Sequence, residues 1–248
     1  AIRGSRGDGY YLASCLGHEI AEPVPALVQL HAADPLVKMA AGVRADAGIT
    51  TWIDDKKTAF WQGELQITDY GLSGIVVFQS SRLAAYGLLE KKDVCLDVDF
   101  LPEYAKTEAE ELLQRRLHMR EGNLTLEQSL QGLLHDKLIA PILKRAGLSA
   151  EKLAGDCDKE DVTRLLAALR HYVVKITDTH GFSNAQVTAG GVKTDRIDPK
   201  TMESELVPGL FFAGEVLDVD GICGGYNLQW AWSSGAVAGK NAAKEEKN

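Results

Sequence analysis

The residues with the clearest chemical potential lie near the C-terminus, where an acidic residue follows a short apolar run. Residues 210–213 are Leu-Phe-Phe-Ala and are bounded by glycines, a pattern that predicts a buried strand. Gly214 would end this strand, so Glu215 would lie at the edge where open α/β sheets bind ligands. A carboxylate there can accept a hydrogen bond from a ligand hydroxyl. The alternative is an exposed acidic residue in a turn.

A glycine pair and a predicted helix follow this acidic residue. Gly224 and Gly225 would let the backbone pass close to a ligand, or would simply make the turn that a helix start needs. The sequence then predicts a helix over residues 226–243, whose first N–H groups favour an anion or an electron-rich ring edge. Small residues on one face would let this helix lie close to a sheet. These residues are Ala231, Gly235, Ala238 and Ala242. The order of these elements is a strand, an acidic turn, a glycine turn and a helix. This order predicts the second half of a dinucleotide-binding site.

The predicted site is therefore a binding site built from backbone groups and a few polar side chains. Asn227 and Gln229 are equally compatible with simple helix capping. No side chain stands out as a catalytic acid or base, so the catalytic residues stay unknown. The predicted cofactor-binding residues are Gly214, Glu215, Asp220, Gly221, Gly224, Gly225, Tyr226, Asn227, Leu228 and Gln229.

Metal and thiol chemistry find little support in the sequence. Residues 218–221 match only the beginning of a calcium-loop pattern and lack its later glutamate. The six histidines show no H-x-x-H or H-E-x-x-H spacing. The four cysteines form no C-x-x-C pair, so we expect neither a zinc site nor a disulfide framework. This cysteine pattern agrees with a protein of the reducing cytoplasm.

Composition narrows the classes of partner. Lys and Arg number 27 against 35 Asp and Glu, which gives a net charge of −8. An acidic chain without a basic cluster argues against a nucleic-acid partner. The chain contains no apolar run of the roughly 18 residues that a membrane helix needs. Its 248 residues suffice for one large domain or two smaller ones.

The pattern of β-forming residues predicts a β-rich region in the first half of the chain. Residues 95–100 alternate between apolar and acidic side chains, as in a half-buried strand. A helix is predicted over residues 74–89. Other predicted strands are residues 26–30, 49–53, 63–68, 173–176 and 185–188. The predicted buried positions of the helix are Ile75, Phe78, Leu83 and Tyr86.

After about residue 103, the spacing of apolar residues changes from that of strands to that of helices. Thr107 and Thr125 are each followed three residues later by Glu or Gln, the pattern of a capping box. Leucines at helical spacing follow both, and residues 161–170 predict a further helix. A short helix is also predicted over residues 10–16, with Gly17 as its stop signal. The helices within residues 103–170 predict a small helical subdomain that serves as a spacer or wall.

Several stretches resemble a known family. Residues 188–192, 198–204 and 209–235 are similar to the YhiN-like flavoproteins, the NAD(P)/FAD-dependent oxidoreductases that include aminoacetone oxidase-like enzymes. Further matching stretches are residues 4–10, 17–18 and 68–74. The resemblance implies FAD as cofactor, with Glu215 accepting a hydrogen bond from the ribityl chain and the flavin ring against the helix start. It also implies that Asp8 lies near the cofactor, although a turn aspartate is equally plausible.

One part of the family pattern does not occur in the sequence. Family members begin with a strand and a Gly-x-Gly-x-x-Gly turn that holds the FAD pyrophosphate, and this chain has no such turn. We therefore expect a family protein without its N-terminal portion, which on its own is inactive and does not retain FAD. NAD(P)H is a further expected cofactor of the whole protein, as electron donor. The competing hypothesis is a cofactor-free remnant that acts only as a binding or interaction module.

The resulting expectation is an α/β fold with an α+β insertion. Residues 1–22 and 190–248 are predicted to form an incomplete FAD-binding Rossmann-like domain. Residues 23–102 with 171–189 are predicted to form a β-rich module on the substrate side, and residues 103–170 the helical subdomain. The substrate would be a small organic molecule. An incomplete flavin domain would leave apolar surface uncovered, so we expect self-association or a partner chain in the cytoplasm.

Overall fold

The computed structural model describes residues 5–118 and 123–244. The chain divides into two compact units. Unit 1 is formed by residues 1–28 and 180–248, and unit 2 by residues 29–179. The four segments predicted as domains from the sequence stay a prediction. Within the described ranges, no helix combines the length and the apolar character needed to cross a membrane.

The described residues form both helices and strands, as an α/β fold requires. The strands are β1 (Ile20–Ala26), β2 (Leu30–Ala32), β3 (Arg44–Ile53), β4 (Lys56–Ile67), β5 (Gly71–Ser73), β6 (Val94–Asp99), β7 (Tyr172–Thr179) and β8 (Val187–Val192). The helices are α1 (Asp8–Cys15), α2 (Pro35–Met39), α3 (Ile75–Leu89), α4 (Lys106–Leu117), α5 (Leu126–Leu130), α6 (Asp136–Ala146), α7 (Lys159–Arg170) and α8 (Tyr226–Ala242).

Unit 2 is built on a closed barrel of antiparallel strands in the order β2-β5-β4-β3-β6-β7. Strands β3 and β4 form its long hairpin. The turn residues Asp54 and Asp55 have φ of 47° and 60°, the left-handed conformation that matches the twist of the flanking strands. Strand β6 alternates as predicted, with its apolar residues buried and its acidic residues half-buried. The barrel confirms the predicted β-rich module. The buried apolar residues of its strands include Leu30, Ile49, Leu65, Ile67, Leu72, Leu96, Val98, Val174 and Ile176.

Helix α3 forms as predicted, but the predicted buried face is wrong. Ile75 is exposed, and Phe78, Leu83 and Tyr86 are only half-buried. The buried face carries small side chains, because the helix lies very close to the barrel. A Cβ atom at Gly87 would lie 2.8 Å from Val94 Cγ2. The buried residues of this helix are Val76, Val77, Ser80, Ser81, Ala84, Ala85 and Gly87.

The helices α4 to α7 confirm one predicted capping box and correct the other. Thr125 Oγ1 accepts the Gln128 N–H at 3.2 Å, and Gln128 Oε1 accepts the Thr125 N–H at 3.0 Å. Thr107 is not an N-cap, because α4 begins earlier and Glu108 instead accepts the Ala105 N–H at 2.8 Å. The leucines near residues 130–138 do not form one helix, since Gly132 takes a φ of 75° between α5 and α6.

Two strand predictions near the boundaries of unit 1 are also wrong in detail. The run over residues 26–30 is interrupted because Leu27 has a φ of 48°, so β1 ends at Ala26 and β2 begins at Leu30. Strand β8 begins at Val187, two residues later than predicted, and continues through the glycine pair 190–191.

Unit 1 contains a two-stranded antiparallel sheet of β1 and β8. The predicted strand over residues 210–213 does not form. This segment makes a single bridge, between Glu203 and Phe211, and a strand requires a partner that hydrogen-bonds along its length. The segment still supplies Phe212 to a small apolar core of this unit. The buried members of that core are Ala13, Val192, Ile197, Met202, Phe212, Leu217 and Ala238.

Helix α8, which forms as predicted, holds the residue that precedes Glu215. Ser234 Oγ accepts the Gly214 N–H at 2.9 Å, and Trp230 Nε1 donates to the Gly214 carbonyl oxygen at 3.1 Å. Ser234 is buried and donates in turn to the Trp230 carbonyl oxygen at 2.6 Å. Gly214 has a φ of 72°, a conformation that glycine adopts without strain.

The N-terminus of α7 is held by a buried carboxylate in unit 2. Asp161 accepts from Lys152 Nζ at 2.5 Å and from Arg164 at 2.6 Å, while its side chain is only 4% exposed. It also accepts the N–H of the capping residue Asp158 at 3.2 Å. The hydrogen bond from Lys152, followed by those from Arg164 and Asp158, lowers the pKa of Asp161 from 3.8 to about 2 against the opposing effect of burial.

We predict that Ser234→Ala destabilises the protein by about 1–3 kcal/mol, because the buried Gly214 N–H loses its acceptor. Urea unfolding measures this change. Ser233→Ala is the control, since Ser233 is an exposed neighbour that accepts a hydrogen bond from Gln229 at 2.8 Å. Equal stability of the two variants would contradict the assignment of Ser234.

We predict that Asp161 makes stability depend on pH in the acid range. Its pKa is lower in the folded state, so its contribution is complete above about pH 4 and is lost as the pH falls through about 2. The difference in unfolding free energy between wild type and Asp161→Asn should therefore shrink on acidification. Glu160→Gln, an exposed change in the same helical turn, should show no such trend. A difference that stays constant down to pH 2 would refute the role of the ionised carboxylate.

Candidate functional site

Glu215 lies in a short 3₁₀ turn, Gly214–Val216, of unit 1. One oxygen of its exposed carboxylate accepts the backbone N–H of Thr188 in β8. A carboxylate offers about four lone-pair sites on two oxygens, so Glu215 keeps the capacity to accept a further hydrogen bond from a ligand. The Thr188 contact fixes the direction of the carboxylate.

Two cavities of unit 1 share Glu215, Gln186 and Val187 as lining residues. The larger, called here the tyrosine cavity, has a volume of about 610 Å³ and is lined by Ser5, Arg6, Gly7, Asp8, Gly9, Tyr10, Ser183, Ala185, Gln186, Val187, Thr188, Glu215 and Val216. The smaller, the helix-start cavity, has a volume of about 320 Å³ and is lined by Leu27, Gln186, Val187, Glu215, Val219, Gly224, Gly225, Asn227, Leu228, Trp230 and Ala231. Glu215 can therefore contact a ligand in either space.

The first turn of α1 forms one side of the tyrosine cavity. Gly7 caps this helix with a φ of 76°, and the Tyr10 ring folds back over it, 3.1 Å from where a Cβ atom would stand. Gly9 packs against Val216, and a Cβ atom there would lie 3.2 Å from Val216 Cγ2. Gly9 thus allows α1 to approach the Glu215 turn.

Tyr10 is the half-buried aromatic residue of the tyrosine cavity. Burial, and after it the negative charge of Glu215, raises the pKa of the Tyr10 phenol above its usual range. A hydrogen bond with the Thr188 side chain acts in the opposite direction. Thr188 thus contacts Glu215 through its backbone and Tyr10 through its hydroxyl. The phenol stays protonated through neutral pH.

The helix-start cavity is bordered by the predicted glycine pair. Gly224 and Gly225 have φ of 126° and 91°, and in the part of the chain that the structure describes no atom beyond the neighbouring residues lies within 4 Å of the position that a Cβ atom of Gly225 would occupy. Open space therefore adjoins the start of α8, whose first-turn N–H groups have no acceptor within the helix. This arrangement can bind an electron-rich group.

The amide of Asn227 holds the loop that precedes α8. Its Oδ1 accepts the Gly221 N–H at 2.8 Å, and its Nδ2 donates to the Gly221 carbonyl oxygen at 2.9 Å. Gln229 donates to Ser233 Oγ at 2.8 Å. Both side chains therefore have structural partners, and their contact with a cofactor stays a prediction.

The predicted site residues divide by position. Glu215, Gly224, Gly225, Asn227 and Leu228 line the helix-start cavity. The other predicted residues lie in the adjoining turn, loop and first turns of α8 but are not among the lining residues of the two cavities. They are Gly214, Asp220, Gly221, Tyr226 and Gln229.

The sequence did not identify Tyr10, Thr188 or Gln186 as candidate site residues. Tyr10 and Thr188 occur in stretches that carry the family resemblance, and that was the available signal. Their side chains meet Glu215 only because α1, β8 and the 3₁₀ turn pack together. Asp8 lines the tyrosine cavity, and its proximity to a cofactor stays a prediction. In residues 5–118 and 123–244, no group of three or more His, Cys, Asp or Glu could hold a metal ion.

A family model and several characterised relatives match this chain over most of its length. Residues 1–241 match the family model described as HI0933-like protein Rossmann domain. The chain is 43% identical over 241 residues to a 3-dehydro-bile acid delta(4,6)-reductase of Clostridium scindens, which covers 97% of this chain and 59% of the relative.

Two further relatives carry one name. A ribosomal RNA dihydrouridine synthase of Escherichia coli is 34% identical over 232 residues, covering 91% of this chain and 54% of the relative. Its namesake in Haemophilus influenzae is 32% identical over 228 residues, covering 91% and 53%. The chain thus spans between half and three-fifths of the length of these relatives. The match over nearly its whole length shows that the chain belongs to the HI0933-like Rossmann-domain family of FAD-dependent oxidoreductases, which confirms the YhiN-like family predicted from its sequence.

Proposed function

We propose that the protein containing this chain is an FAD-dependent reductase that adds two hydrogens across a carbon–carbon double bond of a small organic substrate. The names of the relatives support this reaction, since a delta(4,6)-reductase and a dihydrouridine synthase both saturate a double bond. Hydride addition needs an electron-poor carbon, so we propose a double bond conjugated to a carbonyl group. NAD(P)H is the proposed electron donor, and the cytoplasm the proposed location.

The observation that carries the proposal is the position of Glu215. It is fixed by Thr188, and it borders both the tyrosine cavity and the open start of α8. An extended ligand with hydroxyl groups and an electron-rich ring suits this set of groups. The carboxylate can accept from a ribityl hydroxyl, and the first N–H groups of α8 can face the ring beside Gly225. The residues present therefore fit the flavin and ribityl part of FAD.

FAD supplies hydride chemistry when bound, and the protein positions the substrate and tunes the reaction. In this chain, Glu215 and Gly225 would hold the cofactor. Asn227 keeps the loop before α8 in place, and Thr188 keeps Glu215 in its direction. The adenosine and pyrophosphate need a phosphate-binding turn of the Gly-x-Gly-x-x-Gly kind, so we expect the 248 residues alone not to retain FAD.

The competing proposal is a cofactor-free module that only binds a partner. The two proposals differ in whether the cavities beside Glu215 bind flavin. Riboflavin is the appropriate probe, because it carries the flavin ring and the ribityl chain without the phosphates.

Exposed apolar side chains on α8 give a further proposal about partners. Leu228 and Trp232, four residues apart on one face of α8, are 62% and 70% exposed, which is unusual for large apolar residues that lie this near one another. We propose that this face is a contact surface, and that two copies of the chain associate through it when the chain is purified alone.

We predict that Glu215→Ala weakens riboflavin binding about tenfold or more, since it removes a charge-assisted hydrogen bond worth about 1.5–3 kcal/mol. Quenching of riboflavin fluorescence measures the affinity. Glu215→Gln should lose less, because its amide oxygen can still accept the Thr188 N–H. Glu205→Ala, which removes an exposed carboxylate outside both cavities, is the control. Failure of the wild-type chain to bind riboflavin would favour the cofactor-free module.

We predict that the purified chain sediments as an oligomer and that Trp232→Lys shifts it towards the monomer. The lysine places a charge in the apolar face of α8, where contact would bury it without a partner. Ser233→Lys adds the same charge at the neighbouring exposed position and should leave the association nearly unchanged. A wild-type chain that sediments as a monomer would contradict the contact surface.

A further inference from the structure

Saturation of a double bond requires a proton as well as a hydride. The following inference rests on the proposed function, which supplies the hydride through FAD from NAD(P)H but leaves the source of the proton open. The proton must reach the carbon next to the one that receives the hydride. A donor must therefore line the cavity that would hold the substrate. With the flavin ring proposed beside Gly225 in the helix-start cavity, the adjoining tyrosine cavity is the space left for the substrate.

The side chains of the tyrosine cavity offer few proton donors. Asp8 and Glu215 carry carboxyl groups, of which Glu215 serves as a hydrogen-bond acceptor for the Thr188 N–H, and a guanidinium such as that of Arg6 does not release its proton. Ser5, Ser183 and Thr188 carry hydroxyl groups that are too weakly acidic. Among the described residues, those that line this cavity include neither His nor Cys nor Lys. Tyr10 is the remaining ionisable group of intermediate strength.

Tyr10 is also held in a defined position. It is the third residue of α1, and its ring lies against Gly7, 3.1 Å from where a Cβ atom would stand. The Thr188 hydroxyl forms a hydrogen bond with the phenol, and the Thr188 N–H holds Glu215 beside it. One residue of β8 thus fixes both the phenol and the carboxylate at the same cavity.

We propose that Tyr10 is the proton donor of the reductase. Hydride adds to one carbon of the substrate double bond. The Tyr10 Oη–H bond breaks, and a C–H bond forms at the neighbouring carbon. Water then returns a proton to the phenolate oxygen, so that NAD(P)H is the reductant consumed and the substrate gains two hydrogens.

The electrostatics of the cavity agree with this role. Burial and the charge of Glu215 keep the proton on the phenol at neutral and mildly alkaline pH, because both raise its pKa. The carbon that receives the proton is far more basic than a phenolate, so a phenol with a raised pKa can still protonate it.

A titration of the chain itself tests the environment of Tyr10 without a cofactor. The difference in tyrosinate absorbance between wild type and Tyr10→Phe reports this one phenol. It should ionise above the usual tyrosine pKa of about 10, and Glu215→Gln should move its ionisation to lower pH. Tyr11→Phe, which changes a 71% exposed neighbour, is the control and should leave the ionisation of Tyr10 in place. An ordinary Tyr10 titration that does not respond to Glu215→Gln would overturn the assignment.

The chemical test uses the whole protein that contains this chain, loaded with FAD, together with NAD(P)H and a 3-dehydro-delta(4,6) bile acid, the class named for one relative. Tyr10→Phe should slow the reduction of the bile acid roughly 100-fold or more, the usual loss when a general acid is removed. Bleaching of the flavin by NAD(P)H and the affinity for riboflavin should stay close to wild type. Tyr11→Phe should match wild type in all three measurements.

The outcomes separate this inference from the proposed function. Full reductase activity of Tyr10→Phe would overturn the proton-donor role. So would a loss of riboflavin affinity that accounts for the whole defect, because Tyr10 would then only hold the cofactor. If wild type and Tyr11→Phe also fail to bind riboflavin or to reduce the bile acid, the proposed function fails and this inference falls with it.

Discussion

The arrangement of unit 1 depends on how α8 holds Gly214. The N–H of Gly214 is bound by Ser234 and its carbonyl oxygen by Trp230, two side chains one turn apart on the same helix. Because both backbone groups of Gly214 are hydrogen-bonded to the same helix, this residue cannot move relative to α8. Glu215 follows directly, so the helix that offers its N-terminus to a ligand also determines where the carboxylate stands. The two halves of the candidate site are therefore mechanically linked.

Strand β8 adds the second constraint through its glycine pair. A Cβ atom at Gly190 would lie 2.5 Å from the Glu22 carbonyl oxygen, and one at Gly191 would lie 2.6 Å from the Val216 carbonyl oxygen. The strand can lie between β1 and the Glu215 turn only because both positions lack a side chain. Thr188 is two residues before this pair, and close packing of the strand brings it to both Glu215 and Tyr10. Close backbone packing at these glycines positions the site residues without a large apolar core, and the apolar core described for unit 1 is small.

Unit 2 achieves its stability in a different way. Its barrel closes through hydrogen bonds on both sides of each strand, and a continuous apolar core fills it and extends among the helices α4 to α7. Polar groups in this unit act mainly at the ends of helices. Asp161 shows this most clearly, because a single carboxylate accepts from Lys152, Arg164 and the cap of its own helix. In residues 29–118 and 123–179 we have assigned no group to the proposed reaction.

The sequence by itself determined the features that depend on neighbours in the chain. The alternation of residues 95–100 gave β6, the Thr125 capping box gave the start of α5, and the glycine pair before residue 226 gave the start of α8. Its motifs also gave the family, and with it Glu215 as the residue of interest. Local pattern suffices for these because the hydrogen bonds and the periodicity involve residues a few positions apart.

Only the tertiary structure decided which side chains meet. Tyr10, Thr188 and Glu215 come from three distant segments, and no local spacing relates them. The buried face of α3 was missed because its closeness to the barrel selects small side chains, whereas a sequence pattern points to large ones. The run over residues 210–213 has the composition of a strand but lacks partners along its length, and pairing is a property of the fold. The sequence thus determined the elements and the family, while the packing of α1, β8 and α8 determined the site, because contacts between distant segments form only once the chain has folded.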